Sequence, residues 1–263
     1  MVDTALLNWT LSQVFSLLVI MARVGPLIFL MPIIGSSSVP TQVKVLATLT
    51  TSLVLLPVLH ISATQLPRSV VGLVIFVGSE ITIGAILALF ARMVLAALEI
   101  AGQVVSISMG MGMAGALSPQ FGTQVSLVGN LWSIVAILVF LAIDGHHIFI
   151  RTMVDSFVWL PPGTIHITGA TFRGMMRGAS HMFVLSIQIM APAGVALFLA
   201  NVAMGIIAKT VPQVPIMIVG MPMNIAIGFI FIALSMSYLL PLLISNFAAL
   251  GTALTRLSMG MGG

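Results

Sequence analysis

The chain has 263 residues, of which 60% are hydrophobic and only 5% charged, with a formal net charge of +4. A soluble domain carries about 25% charged residues, so this composition excludes a solvated globular surface and marks an integral membrane protein. The nine Lys and Arg are scattered without a basic run, which argues against nucleic acid, and the lack of cysteine excludes disulfides and thiolate metal sites.

The N-terminal stretch MVDTALLNWT has no basic segment, and no small-residue cleavage site follows the first apolar run. The first helix is therefore expected to stay as an anchor. Six apolar runs follow in order, Trp9–Leu30, Val43–Leu59, Val70–Leu95, Val125–Ile150, Met182–Ala208 and Ile216–Leu243. Backbone polar groups in lipid must be paired within the segment, and these runs lack the alternation of barrel strands. The expected fold is all-α, an integral membrane protein of about six long, kinked hydrophobic helices.

The first run contains Arg23, Gly25 and Pro26, where a kink is expected, and Pro32 to Pro40 reads as a loop before Lys44. In the third run Glu80, Gly84, Ala88, Arg92 and Ala96 recur every four residues, with Glu99 near the same face. Small residues let helices approach closely, and charges inside a membrane face protein or water. Two readings stay open for this face: a helix-packing seam, or charges lining a conduit.

Ser108–Gly122, SMGMGMAGALSPQFG, is the longest interruption in the apolar chain. Each interior glycine costs a helix about 1 kcal/mol against alanine, yet the stretch is too apolar for a solvated loop. Met109, Met111 and Met113 supply flexible, polarizable filler; Gly110, Gly112 and Gly115 supply backbone freedom; Leu117, Pro119 and Phe121 complete the segment. Both a conformable hydrophobic plug, of the kind that excludes ions by dewetting, and a Gly-rich bend between packed helices fit this composition.

The fourth run ends in Asp144-Gly145-His146-His147, and on a continuing helix Asp144, His147, Arg151 and Asp155 would share a face of alternating sign. This reads as a charge-paired helix end, and no metal site is expected because no third ligand of matching geometry is evident. Trp159, Pro161, Pro162 and Gly163 mark an interfacial turn. The last two runs form a hairpin whose tip, Lys209 to Pro222, carries Pro212, Pro215, Gly220 and Pro222 and is expected not to be smoothly helical. A further break is expected near Pro241, and the tail SMGMGG reads as disordered. Loop arginines and lysines divide too evenly between the two sides to orient the chain, which suggests that some apolar runs face protein instead of lipid.

The stretches Arg23–Lys44, Glu99–Gly122, Phe140–Phe157 and Pro212–Gly228, in their order and spacing, resemble the FliR/SctT family of type III secretion export-gate subunits. The resemblance covers nearly the whole chain. It implies a FliP-like helical part, residues 1–172, followed by a FliQ-like helical hairpin, residues 173–263. It also implies assembly with FliP-like and FliQ-like subunits and with FlhB-like and FlhA-like export proteins in the bacterial inner membrane, at the flagellar basal body. Unfolded substrates would pass through the shared pore, with no catalytic residue and no cofactor. The 108–122 segment matches a pore-plugging loop in position and composition. Arg23, Glu80, Arg92, Glu99, Asp144 and Lys209 would be packing or pore-facing charges. The chain departs from the family pattern at Ser118, Pro215 and Asn224, where Asp, Asn and Lys are common, so no role rests on those groups. A virulence-type subunit is the neighbouring alternative. A small-solute transporter is a more distant one, suggested by the two Pro- and Gly-broken segments Arg23–Gly35 and Lys209–Pro222. A membrane enzyme finds no catalytic spacing beyond Asp144 and His147.

Overall fold

A computed structural model describes residues 2–31, 34–36, 39–59, 61, 69–111, 126–166, 168–211, 213 and 216–262, the side chains of 2–8, 216 and 217 excepted. Seven helices and no strand occur among them: α1 Val2–Leu30, α2 Thr41–Leu55, α3 Val70–Ser108, α4 Leu127–Ala142, α5 Gly145–Trp159, α6 Gly169–Thr210 and α7 Ile216–Met261. The all-α membrane class expected from the apolar runs is the one observed. Four helices are long and apolar enough to cross a membrane, with a fifth crossing if α4 and α5 count as one bent span.

The runs differ from the expected spans in informative ways. α2 has 15 residues, about 22 Å of helix, which is short of a hydrocarbon core of about 30 Å. α3, α6 and α7 run to 39, 42 and 46 residues, or about 58, 63 and 69 Å, roughly twice that core. Their ends therefore reach well beyond the thickness that hydropathy alone assigns them. The fourth run is not one helix: α4 and α5 meet at an angle of 69°. The break falls at Asp144, which adopts the left-handed conformation with φ 55°. Among non-glycine residues Asp and Asn tolerate that region best, and Gly145 follows it.

The prolines interrupt less than expected. α1 continues through Pro26, and α7 continues through both Pro222 and Pro241. Gly220 and Pro222 thus belong to α7 and not to the hairpin tip. In a proline-containing membrane helix the freed carbonyl can be satisfied by neighbouring groups, so the helix need not stop. Through Gly262 the tail is also ordered. Ser258 to Met261 complete α7, Met261 is buried, and the His166 N–H donates to the Met261 carbonyl at 3.0 Å.

The chain forms two compact units: Met1–Met93, Asp144–Ala179 and Ala249–Gly263 make the first, and Val94–Ile143 and Ser180–Ala248 the second. The first is centred on buried Val19, Ile20, Ile83, Leu87 and Leu160, the second on Trp132, Phe140, Leu185, Leu197 and Phe247. Phe140 and Phe247 meet edge to face at 5.4 Å.

α6 and α7 run antiparallel, as their paired positions show within each unit. In the first, the Thr168 and Thr171 hydroxyls donate to the Gly260 carbonyl at 2.9 and 3.1 Å. In the second, His181 Nε2 lies 2.6 Å from Asn246 Oδ1, and Asn224 Nδ2 donates to Asn201 Oδ1 at 2.8 Å. Interhelical amide bonds of this kind fix register where apolar faces alone would allow sliding. Asn224, one of the departures from the family pattern, thus has a structural partner on the facing helix. Large apolar side chains remain exposed along both helices, among them Phe183, Ile187, Phe198, Ile206, Phe229 and Leu234. An exposed apolar area of this extent marks a surface for lipid or for other protein.

Candidate functional site

Two groups of residues stand out, one in each unit. In the first unit Arg23 of α1 and Glu80 of α3 are both fully buried. Arg23 Nε donates to Glu80 Oε2 at 2.7 Å, and Nη2 lies 2.6 Å from the same oxygen. Arg23 Nη1 donates to the carbonyls of Ser156 and Leu160 at 3.0 and 2.9 Å. Those carbonyls lie at the end of α5, where the Ser156 carbonyl also accepts from the Leu160 N–H and the helix dipole favours a cation. The guanidinium carbon also sits 4.1 Å from the centroid of the Phe157 ring.

Glu80 Oε1 accepts from the Gly163 N–H at 3.0 Å. Gly163 has φ 78° and lies in a turn closed by the Thr164 N–H on the Pro161 carbonyl at 3.2 Å. Pro162-Gly163 at the central positions is the residue pair that a type II turn requires. One turn of helix beyond Glu80, Gly84 meets the Arg23 backbone; a Cβ there would collide with the Arg23 carbonyl oxygen. The pair therefore ties α1, α3, the end of α5 and the 161–164 turn at one buried point.

The remaining charges of the expected stripe do not join it. Ala88 is buried, but Arg92 and Glu99 are exposed and Ala96 is partly so. A four-residue step overshoots a full turn by about 40°. From Glu80 to Arg92 the accumulated rotation is about 120°, enough to carry a side chain off the face it started on. Asp144 and Lys209 are likewise exposed.

In the second unit the start of the Gly-Met segment ends α3. The Gly110 N–H donates to the Ile107 carbonyl and the Met111 N–H to the Ser106 carbonyl, at 2.9 and 3.1 Å, with Gly110 at φ 82°. This is a Schellman stop, and glycine is the residue its left-handed position favours. Met109 is fully buried and lies against Gly228 of α7, where an added Cβ would stand 2.6 to 2.8 Å from the methionine Cγ, Sδ and Cε. Met111 is half-buried. Gly112, Met113, Gly115, Leu117, Pro119 and Phe121 lie outside the described residues.

The chain re-enters at α4. Ser126 caps that helix, accepting from the Gly129 N–H at 2.9 Å and donating to the Gly102 carbonyl of α3 at 3.0 Å. Gly102 and Gly129 touch backbone to backbone, leaving no room for a side chain on Gly102. Sequence reasoning assigned Gly102, Ser126, Gly129 and Gly228 no role. The small residues at Gly102 and Gly129 were the available signal for a close helix crossing.

At the α4–α5 bend, His147 Nδ1 stands 3.6 Å from Asp144 Oδ1, and Arg151 Nε lies 4.0 Å from Asp155 Oδ2. The single alternating face expected on a continuing helix is not formed, because the helix restarts at Gly145. His146 supplies the third donor missing from the sequence reading: ligand atoms of Asp144, His146 and His147 lie within 4.8 Å of one another. Asp144 and His147 are exposed and in contact, and the His146 and His147 rings lie 4.2 Å apart.

Residues 14–250 match the family model described as bacterial export proteins, family 1. Among curated proteins, the flagellar biosynthetic protein FliR of Pectobacterium carotovorum subsp. carotovorum is 29% identical over 257 residues, covering 96% of each chain. The FliR of Bacillus subtilis (strain 168) is 34% identical over 163 residues, 60% of this chain and 62% of its own length. That of Escherichia coli (strain K12) is 26% identical over 219 residues, 83% of each chain. With the greater part of its length matched, the chain belongs to the bacterial export proteins, family 1.

Proposed function

We propose that the chain is a core subunit of the flagellar type III secretion export gate in the bacterial inner membrane. With FliP-like and FliQ-like subunits it forms the channel through which unfolded flagellar proteins leave the cell, alongside FlhB-like and FlhA-like export proteins of the basal body. The observation that carries this reading is the family match across residues 14–250, joined to a relative named FliR aligned over 96% of each chain. The relatives' names favour the flagellar system over the virulence type. Two physical features support an assembly subunit over a solitary transporter. α3, α6 and α7 are about twice the length a hydrocarbon core needs, and apolar side chains stay exposed along α6 and α7. Residues 1–172 are read as the FliP-like part and 173–263 as the FliQ-like hairpin.

The Gly-Met segment from Ser108 to Gly122 is read as the plug of the closed pore. Its composition supports this: it carries no charge, and it joins flexible thioethers to glycines. The segment's two ends support it too, since the residues on either side are pinned to α7 and α3 while the apolar middle is free of charge.

The assembly reading is tested by a mild-detergent pull-down with mass spectrometry. Co-recovery of FliP-like and FliQ-like proteins is expected; a lone chain under conditions that preserve other membrane complexes overturns it. The plug is tested by deleting Gly112 to Leu117, which leaves the Gly110 helix stop in place. Increased ion leak across the membrane is expected, and an unchanged leak in correctly assembled complexes refutes the plug.

A further inference from the structure

The Gly-Met segment departs from a helix end that is held by one specific side chain. Met109 is fully buried, although Ser108 and Met111 beside it are only half-buried. Its thioether occupies the space that a side chain on Gly228 would fill, with Cγ, Sδ and Cε all within 2.8 Å of the missing Cβ position. One residue on, Gly110 faces the Met221 side chain, whose Cγ lies 3.6 Å from where a Gly110 Cβ would stand. Met221 and Gly228 are both on α7, seven residues apart, about two turns along one face. The end of α3 therefore rests on one stripe of α7.

The other root is held differently. At Gly102 and Gly129 two backbones are in contact, and Ser126 hydrogen-bonds across the junction. That contact has no soft part. The Met109 contact has only soft parts: a chain with three rotatable bonds, no hydrogen bond and no charge. It can release and re-form without stranding a polar group in an apolar setting, which would be costly.

We infer that Met109, seated in the notch at Gly228, is the positioning residue that holds the end of α3 on α7 and thereby keeps the export path shut. The inference rests on the plug reading for its functional half; the seat itself stands on Met109, Gly110, Met221 and Gly228 alone. α7 is the second helix of the hairpin, so any movement of α7 at Gly228 acts directly on the root of the Gly-Met segment. Gly102 and Gly129 serve as the fixed pivot at the opposite root.

The natural chain has no cysteine, so a single Met111→Cys reports on the seat through its thiol-labelling rate in membranes holding the assembled complex. Gly228→Ala adds a methyl where the thioether lies and is expected to raise the labelling rate about tenfold, the effect of a modestly overpacked contact on a local opening equilibrium. Met109→Ala empties the notch and also raises it. The double variant Gly228→Ala, Met109→Ala places the new methyl in the vacated space, so its rate should fall below that of either single variant. Met109→Leu, a near volume-conserving change, should label close to the parent. Ion leak measured on the same variants should follow the same order.

Additive effects in the double variant, or no response to Gly228→Ala, overturn the seat. Faster labelling with an unchanged leak, in a background where the Gly112–Leu117 deletion does leak, overturns the positioning role and leaves the plug intact. If that deletion does not leak either, the plug reading fails, and the seat is still decided by the compensation between Gly228 and Met109. Variants that no longer co-purify with their partners are replaced by Met109→Val, which shortens the thioether without touching α7 and should raise the labelling rate; an unchanged rate counts against the seat.

Discussion

At Arg23 the first unit buries a charge; at Gly102 the second removes side chains altogether. Both devices bring helices into close contact inside an apolar chain, but they fail differently. The guanidinium of Arg23 is surrounded by a carboxylate, two helix-end carbonyls and an aromatic face. Removing a partner leaves a charge with nowhere to go. The contacts of the second unit at Gly102, Gly129 and Gly228 hold no charge, so what is lost depends on the neighbour: the Gly129 backbone cannot give, whereas the Met109 thioether can. The rigid device sits where α1, α3 and the 161–164 turn must stay fixed. The uncharged ones flank the Gly-Met segment, one rigid at Gly102 and one soft at Gly228. In lipid, where apolar side chains gain little from meeting one another, both devices specify contacts that hydrophobicity cannot.

The largest effect is expected at the ion pair. Glu80→Ala leaves Arg23 buried without its counter-charge, and breaking such a pair typically costs about 3–5 kcal/mol. The chain should fail to accumulate, or should unfold at much lower denaturant in detergent. Replacing both groups, Arg23→Met with Glu80→Leu, should recover most of the loss, because a buried pair can often be exchanged for apolar residues of similar volume. A double variant as damaged as Glu80→Ala would show that the α5 carbonyls and Gly163, not the charge pair, carry the contact. Next comes Gly102→Ala. Its Cβ would meet the backbone of Gly129, which cannot rotate away. A cost of about 1–3 kcal/mol is expected from such overpacking, read as reduced thermal stability of the purified complex. Gly228→Ala should be milder, because the Met109 thioether can move. Equal losses at the two glycines would erase the distinction between pivot and seat. Ser126→Ala follows, with about 1 kcal/mol for a lost helix cap, measured the same way.

How much of this was legible in the sequence follows the same divide. The helical membrane class and the long runs follow from apolar length, which acts locally. The turn at Pro161 to Thr164 follows from Pro-Gly chemistry, also local. The Arg23–Glu80 pair was legible as two rare charges in apolar runs, but nothing in the sequence joined residues 57 positions apart. The break at Asp144 was hidden because Asp-Gly permits a left-handed stop without demanding one. The order of the C-terminal tail was hidden too: Gly and Met suggest disorder until the 166–171 segment supplies partners for Met261 and Gly260. For the Gly-Met segment, composition grouped Gly110 with Gly112 and Gly115 as sources of backbone freedom, and the structure gives Gly110 a narrower task, stopping α3.

The smallest effect should come from Arg92 and Glu99, and it tests the comparison from its weak side. Four-residue spacing put both in line with Glu80, yet the helix carries them onto exposed surface. Neither joins an ion pair among the described residues, so Arg92→Gln and Glu99→Gln should each change the stability of the isolated chain by no more than about 0.5 kcal/mol. Recovery of partners in the pull-down then decides what their faces meet. If Arg92→Gln leaves both stability and recovery unchanged, that face looks onto water or lipid headgroups, and the buried seam ends at Ala88. If recovery falls while the isolated chain keeps its stability, the stripe continues as an intersubunit contact. The rule drawn from Arg23 would then extend to the assembly: a charge on an apolar helix is held by protein, whether from this chain or from its partner.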